Sequence, residues 1–172
     1  HVDLASPGAV TDLARDLQES FSGAEPPLWW ESLRDRTLPQ LDLAERLHSI
    51  APAEITRSFF VSSGAEAMEG ALKLAHRATG RSKFVSTQKS FHGRTLGALS
   101  IIGQDKHRAP YQRILNEGCF VPFGDLDAAA RAIDANTAAF VVEPVQGEGG
   151  INPAPPGYLA GLRELTRRHG AL

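Results

Sequence analysis

From residue 58 onwards, the sequence predicts an α/β domain built on a largely parallel sheet. Short β-rich runs alternate there with segments of helical periodicity, which is the pattern of a sheet flanked by helices. One of these runs, Ala138 to Val142, is continuously apolar, as expected of a strand that is buried on both faces. The length of 172 residues is sufficient for one domain with a hydrophobic core.

The first 50 residues are predicted to form a helical segment that precedes this domain. Apolar residues recur at helical spacing in two stretches, namely Val10, Leu13, Ala14, Leu17 and Phe21, and then Leu43, Ala44, Leu47 and Ile50. The second helix is expected to stop at Ala51-Pro52. Between the two helices, the adjacent Trp29 and Trp30 either lie in a core or form part of a surface for a partner.

The elements of the α/β domain follow in order from residue 59. Strands are expected at residues 59–61, 83–86, 119–123 and 138–142. Helices are expected at residues 64–79 with Gly80 as the stop, at 126–133 with Asp125 as the cap, and from Pro155-Pro156 to Gly170. Residues 93–102 are predicted to form a short helix or a turn-rich element.

Composition excludes several classes of partner. Eighteen basic and twenty acidic residues give a net charge of −2, which offers no electrostatic footprint for nucleic acid or for an anionic membrane. The single cysteine, Cys119, excludes an internal disulfide and suits a reducing compartment. Neither an apolar run of transmembrane length nor a signal-peptide pattern is present, so a cytoplasmic protein is expected. The histidines lack ligand spacing, so no metal site is expected.

The first candidate site is the predicted helix start at Ser62-Ser63-Gly64. A helix start presents unpaired backbone N–H groups and the positive end of the helix dipole, so it can hold a phosphate. The same residues also fit an ordinary capping box, with Ser63 as the N-cap and Glu66 three residues later. The two interpretations are compatible, because a capped start still offers its remaining N–H groups.

A second candidate site follows the next predicted strand, at Phe91-His92-Gly93-Arg94. Phe91 can stack on a planar ring, and Arg94 can bind a carboxylate through two hydrogen bonds. Taken singly, each residue is better explained as an ordinary structural one, a core phenylalanine and a solvated arginine. Ligands of parallel α/β sheets gather at the carboxyl ends of the strands, however, and both candidate sites lie at strand exits.

Two glutamates near the end of the apolar run complete the set. Glu143 closes a buried strand, where a carboxylate needs either a polar partner or a shifted pKa. Glu148 lies in the glycine-rich loop Gly147-Glu148-Gly149-Gly150, which suits a movable charge and equally suits a plain surface turn.

Together these residues resemble the class III aminotransferases, pyridoxal phosphate enzymes of fold-type I. The resemblance covers about Leu38 to Leu172 and rests on three motifs, at residues 59–67, 91–100 and 142–150. It implies that residues 51–172 form part of the pyridoxal-phosphate-binding large domain of that fold, whereas the first 37 residues match the family poorly. It also implies a homodimer.

The resemblance implies a cofactor-binding role for six residues. Ser63, Gly64 and Ala65 would bind the cofactor phosphate through backbone N–H groups and a hydroxyl. Phe91 would stack on the pyridine ring, and His92 would lie beside that ring. The polar network near the cofactor would include Glu143.

Two further residues are implied to contact substrates. Arg94 matches an arginine that binds a substrate carboxylate in family members acting on ornithine-like or 4-aminobutyrate-like compounds. Glu148 matches a glutamate that pairs with a later arginine and acts as a gate between the amino donor and the 2-oxo acid. The implied reaction is amino-group transfer from an amino acid to a 2-oxo acid such as 2-oxoglutarate or pyruvate.

The resemblance places the family's catalytic lysine outside these residues. The aspartate on the pyridine nitrogen and the Schiff-base lysine are expected after Leu172, and none of Lys73, Lys83, Lys89 and Lys106 occupies that lysine's position. No catalytic residue is therefore expected in this chain, and the chain alone should not turn over substrate. It is interpreted as the N-terminal part of such an enzyme. Two alternatives stay open: a truncated or split non-catalytic module that binds a partner, and an aminomutase or racemase that uses the same cofactor.

Overall fold

The structure is a computed structural model that describes residues 9–21, 23 and 27–172. The chain divides into two compact units, His1–Phe59 and Phe60–Leu172. The expected boundary between an N-terminal helical segment, residues 1–50, and a cofactor-binding domain, residues 51–172, stays a prediction.

The first unit is helical, as predicted. Helix α1 spans Ala9–Ser20, α2 spans Leu28–Ser32, and a π-helical turn over Leu33–Thr37 leads into α3, Leu38–Ile50. The structure separates the two tryptophans: Trp30 is buried, with 2% exposure, whereas Trp29 is 55% exposed. The ring of Phe21 contacts both indoles at centroid distances of 6.0 and 5.5 Å. The core interpretation therefore holds for Trp30 and not for Trp29.

The second predicted helix is present, but its apolar face is not buried. Helix α3 forms and stops at Ala51, but it contains no buried residue. Leu43, Leu47 and Ile50 are all exposed. Periodicity showed that these side chains share one face of the helix, but it carries no information on whether another element covers that face.

The second unit begins with α4, Gly64–Thr79, which leads into strand β1, Lys83–Thr87. Two short helices, α5 over Leu96–Ser100 and α6 over Asp105–Arg108, and a 3₁₀ turn over Ala109–Ile114 connect β1 to β2, Cys119–Val121. Helix α7, Leu126–Ala132, then precedes β3, Thr137–Phe140. A ribbon of β4, Val145–Gln146, and β5, Asn152–Pro153, comes before α8, Tyr158–His169.

The sheet of the second unit is parallel, as predicted. Strands β1, β2 and β3 lie in the order β2-β1-β3, with Val85 opposite both Cys119 and Phe140. After α8 the chain runs along the free edge of β3, where Leu172 exchanges two hydrogen bonds of 2.9 Å with Ala138 and Phe140. Strands β4 and β5 pair antiparallel.

The core of this unit lies where α7 and α8 pack on the sheet. It contains apolar residues of all three parallel strands and of both helices, namely Val85, Val121, Ala129, Ile133, Phe140, Tyr158 and Leu162. Burial of these side chains is the main term that stabilises the sheet, at roughly 1.5–3 kcal/mol for each large one. The packed core holds β1 and β3 in place, and the second and third motifs follow the carboxyl ends of these two strands.

The predicted strand at residues 59–61 is wrong. Phe59, Phe60 and Val61 lie outside any strand and are 77%, 41% and 37% exposed. A strand requires a partner for its backbone N–H and C=O groups, and no strand in the described part of the chain pairs with this run. The other boundaries differ by a few residues, because α5 occupies only part of residues 93–102 and α8 begins two residues after Pro156. No helix in the described part of the chain combines the length and the apolar composition needed to cross a membrane.

Candidate active site

The start of α4 is a capping box, and it also leaves donors for an anion. The Glu66 N–H donates to Ser63 Oγ at 3.2 Å, and Glu66 Oε2 accepts from the Ser62 N–H at 2.7 Å. The N–H groups of Gly64 and Ala65 lie in the first turn, where a helix supplies no acceptor of its own. Ser63 and Gly64 are exposed. Both interpretations of this helix start therefore fit the geometry.

The second motif lies directly against the first. Gly93 has a φ of +118°, and a Cβ added there would come within 2.6 Å of Ala65 Cβ and 2.9 Å of Ala65 Cα. Real side-chain atoms do not approach so closely, and the left-handed backbone also favours glycine. The strand exit that carries Phe91, His92 and Arg94 thus meets the first turn of α4.

The third motif joins the second through Glu143. Glu143 Oε2 accepts a hydrogen bond of 3.1 Å from the Phe91 N–H. This is the polar partner that a carboxylate at the end of a buried strand requires. The half-buried ring of Phe91 meets His107 edge to face, with 5.9 Å between the ring centroids. Glu143 therefore fixes the backbone of the residue that the sequence analysis expects to stack on a planar ring.

His92 is only 8% exposed and faces a buried polar chain of serines. Its Nε2 lies 3.1 Å from Ser86 Oγ, which lies 3.1 Å from Ser90 Oγ, and Ser90 Oγ accepts from the Gly103 N–H at 2.9 Å. Burial lowers the pKa of His92 from 6.5 to about 4. His92 is therefore neutral near pH 7 and ties the second motif to β1. Its expected place beside a cofactor ring stays a prediction.

Arg94 is exposed and lines a pocket of about 450 Å³. The other residues around this pocket come from α5, α6 and the 3₁₀ turn, and they are Leu96, Leu99, Lys106, His107, Pro110, Tyr111 and Ile114. None of these lining residues is acidic, and several are apolar. The pocket therefore has the composition expected for a carboxylate on a short carbon chain.

The loop that carries Glu148 is held at its base by Gln146, which sequence reasoning missed. Gln146 is 1% exposed, and its Nε2 donates to Thr87 Oγ1 at 3.1 Å and to the Gln88 carbonyl at 2.8 Å. At the far end of the loop, a Cβ on Gly149 would lie 2.7 Å from the Lys89 carbonyl oxygen. The loop is thus anchored on the turn after β1, while Glu148 itself is exposed.

Glu69 was also missed by sequence reasoning. Its Oε1 accepts hydrogen bonds from the N–H groups of Gly97 at 2.8 Å and Ala98 at 3.2 Å. The only sequence signal is its i,i+4 spacing to Lys73, which indicates an ordinary surface ion pair on a helix. Glu69 instead reaches the beginning of α5, which follows Arg94 directly.

Lys83 is engaged away from the candidate site. Lys83 lies at the amino end of β1, where its Nζ is 2.7 Å from Asp134 Oδ2 and 2.6 Å from the Ala132 carbonyl. Within the described residues, no group of histidine, cysteine and carboxylate side chains is arranged to hold a metal ion.

The three motifs meet at the carboxyl end of β1. Ala65 of the first motif contacts Gly93 of the second, and Glu143 of the third accepts a hydrogen bond from the Phe91 N–H.

Comparison with known proteins identifies relatives of this arrangement. The sequence model of the aminotransferase class-III family matches residues 34–172. The acetylornithine aminotransferase of Methanosarcina acetivorans is 50% identical over 134 residues, which are 77% of this chain and 33% of that protein. The acetylornithine aminotransferase of Methanopyrus kandleri is 46% identical over 134 residues, 78% of this chain and 34% of that protein. The chain spans about a third of the length of these curated relatives.

Solved structures agree in fold. The ornithine aminotransferase of Toxoplasma gondii superposes with a TM-score of 0.60 at 33% identity, over 65% of this chain and 29% of that one, and has pyridoxal phosphate at partial occupancy in its active site. An amine transaminase from an uncultivated Pseudomonas species, in its pyridoxal-phosphate-bound form, gives 0.68 at 28% identity over 94% of this chain and 42% of that one. The adenosylmethionine-8-amino-7-oxononanoate aminotransferase of Methanocaldococcus jannaschii gives 0.73 at 25% identity, over 95% and 39%.

These findings confirm the family and the fold that the three motifs indicated. The parallel sheet with its flanking helices is a fragment of the fold-type I large domain that these transaminases share. The chain belongs to the class-III aminotransferase family.

Proposed function

We propose that this protein is a pyridoxal-phosphate-dependent aminotransferase that moves an amino group from an ω-amino acid of the ornithine type to a 2-oxo acid. The observation that carries the proposal is that the three motifs meet at the carboxyl end of β1, where Gly93 contacts Ala65 and Glu143 accepts a hydrogen bond from Phe91. Identity of 45–50% to acetylornithine aminotransferases supports ornithine or its N-acetyl derivative as the donor.

The residues at the start of α4 fit the phosphate of that cofactor. The exposed hydroxyl of Ser63 and the first-turn N–H groups of Gly64 and Ala65 would bind the phosphate dianion, which the helix dipole also favours. The absence of a Cβ at Gly93 allows the second motif to close against this turn. When bound, pyridoxal phosphate supplies the electron sink that amino-group transfer requires.

Phe91 and its neighbours would form one wall of the cofactor site. The Phe91 ring would stack on the pyridine ring, and the hydrogen bond from its N–H to Glu143 would hold the backbone in place. His92 would support this wall from behind as a neutral group bonded to Ser86. Burial keeps the pKa of His92 low, so its imidazole is neutral near pH 7.

Arg94 and Glu148 would handle the substrates. Arg94 would bind the substrate carboxylate through two charge-assisted hydrogen bonds, and Leu96 and Leu99 would contact the carbon chain. Glu148 would act as the gate between amino donor and 2-oxo acid by pairing with a later arginine. We further propose that the protein is a cytoplasmic homodimer; the single cysteine, Cys119, suits a reducing compartment.

The test is amino transfer by the full protein, measured with ornithine, N-acetylornithine and 4-aminobutyrate as donors and with 2-oxoglutarate and pyruvate as acceptors. Arg94→Ala should raise KM for the carboxylated donor about 10- to 100-fold, because it removes charge-assisted hydrogen bonds. Arg131→Ala, at an exposed position of α7, is the matched control and should change nothing.

Two results would overturn the proposal. Product formation without any 2-oxo acid would indicate an aminomutase or a racemase. The absence of both cofactor binding and amino transfer would favour a non-catalytic module that binds a partner. That residues 1–172 do not turn over alone stays a prediction, which the same assay on this chain tests.

A further inference from the structure

Glu69 caps a helix other than its own. Helix α5 has five residues, and its N-cap, Thr95, makes no capping hydrogen bond to the helix through its side chain. The free N–H groups of its first turn instead donate to Glu69 Oε1, Gly97 at 2.8 Å and Ala98 at 3.2 Å. A carboxylate at this place is favourable because it satisfies unpaired donors and faces the positive end of the helix.

The fit between Glu69 and α5 is close. A Cβ added to Gly97 would overlap the Glu69 carboxylate, with Cδ at 2.8 Å and Oε1 at 2.7 Å. Burial alone would raise the pKa of Glu69, but hydrogen bonds from Thr95, Ala98 and Gly97 and the charge of Lys73 outweigh burial and lower the pKa below 4.5. Glu69 is therefore a carboxylate throughout the neutral range.

Helix α4 contacts the segment around Arg94 at two points. Ala65 meets Gly93, one residue before Arg94, and Glu69 binds Gly97 and Ala98, three and four residues after it. Positions 65 and 69 lie one turn apart on the same face of α4. Helix α4 therefore holds the backbone on both sides of Arg94.

The segment that Glu69 holds also forms the wall of the Arg94 pocket. Leu96 and Leu99 of α5 line the same cavity of about 450 Å³ as Arg94. A shift of α5 would therefore move the arginine and its apolar wall together. Displacements of about 1 Å at a binding group are enough to weaken binding strongly.

We propose that Glu69 is a positioning residue for substrate-carboxylate recognition, which acts by holding α5 so that Arg94 faces its pocket. The proposal rests on the proposed function of Arg94. Glu69 does not contact substrate in this account, so its effect must pass through Arg94 and must vanish when the substrate lacks a carboxylate.

The experiment compares Glu69→Ala, Glu69→Gln, Arg94→Ala and the double variant Glu69→Ala/Arg94→Ala in the full protein. The two donors are ornithine and 1,4-diaminobutane, which has the same carbon chain and amines but no carboxylate. Glu69→Ala should raise KM for ornithine about tenfold with kcat within about twofold, and should leave the kinetics on 1,4-diaminobutane unchanged. Glu69→Gln should have a smaller effect, because its amide oxygen still accepts the two hydrogen bonds.

Two controls separate capping from other roles of this glutamate. Lys73→Met removes the neighbouring charge and should leave KM for ornithine unchanged, because the hydrogen bonds that cap α5 do not involve Lys73. Glu164→Gln, on the exposed side of α8, repeats the loss of one negative charge elsewhere and should also have no effect. In the Arg94→Ala background, Glu69→Ala should change KM for ornithine by less than about twofold, since the route through Arg94 is already absent.

A binding measurement gives the same readout without turnover. Titration calorimetry with glutarate should give a Kd about tenfold weaker in Glu69→Ala than in the parent protein, and the amides of Gly97 and Ala98 should exchange hydrogen faster. If Arg94→Ala weakens ornithine binding and Glu69→Ala does not, the proposal is wrong and the proposed function stands. If Glu69→Ala impairs the kinetics on ornithine and on 1,4-diaminobutane equally, the proposal is also wrong, because Glu69 then has a merely structural role. If Glu69→Ala does not fold, the same comparison of the two donors is made with Glu69→Gln. If Arg94→Ala has no effect, the assignment of Arg94 itself fails.

Discussion

Arg94 and Glu148 are both expected to meet substrate, and the fold holds their segments in different ways. The Arg94 segment touches α4 on both sides of the arginine, because a Cβ on Gly93 would overlap Ala65 and a Cβ on Gly97 would overlap the Glu69 carboxylate. The Glu148 loop is anchored by Gln146 at its base and by Gly149 against Lys89, but a Cβ on Gly147 would meet nothing within 4 Å. The backbone beside Arg94 is therefore packed against α4, whereas the Glu148 loop leaves open space at Gly147 between its two anchors.

The largest effect that tests this comparison is steric. Gly93→Ala should lower the free energy of unfolding by about 3 kcal/mol, because the new methyl group overlaps Ala65 and φ is +118°. Gly147→Ala is the matched control and should cost under about 0.5 kcal/mol, since its Cβ enters open space. Urea unfolding of the full protein measures both. Equal losses would mean that the two segments are equally constrained, contrary to the comparison.

The next effect concerns the buried support behind Phe91. The folded-state pKa of His92 is about 4 and its ordinary value is 6.5. A pKa depressed by folding means that the unfolded chain binds the proton more tightly, so stability is fully present above pH 6.5 and falls as the pH drops towards 4. The loss should reach about 3 kcal/mol.

Unfolding by urea at several pH values measures this loss, and His92→Gln should flatten the profile between pH 6.5 and 4. His169→Gln, on the exposed end of α8, should leave the profile as it is. A parent protein whose stability does not change over this interval would show that His92 titrates normally and is not buried as described.

A smaller effect is expected at the base of the Glu148 loop. Gln146→Ala leaves the Gln88 carbonyl and the Thr87 hydroxyl without their buried donor, so the free energy of unfolding should fall by about 2 kcal/mol. Gln112→Ala, which alters an exposed amide, is the control. If both substitutions cost the same small amount, Gln146 does not anchor the loop.

The sequence predicted this site where the determinants are local. The Ser63 and Glu66 cap involves neighbours three residues apart, and the alternation of strands and helices placed the second and third motifs after strands β1 and β3. The bonds of Glu69 and Gln146 span 28 and 58 residues, so no local pattern announces them. For the same reason the apolar run at Phe59 was mistaken for a strand: its composition was suitable, but strand formation depends on a distant partner.

The smallest effect on stability, and the sharpest on function, is expected at Glu148. Glu148→Ala should leave the free energy of unfolding within about 0.5 kcal/mol of the parent, because the side chain is exposed. If Glu148 is the gate, the variant should change the ratio of kcat/KM for the amino donor to kcat/KM for the 2-oxo acid, whereas Glu164→Ala should not. A ratio that stays constant while both values fall would show that Glu148 supports the loop and does not choose between substrates. The ratio therefore tests whether Glu148 discriminates between the two substrates.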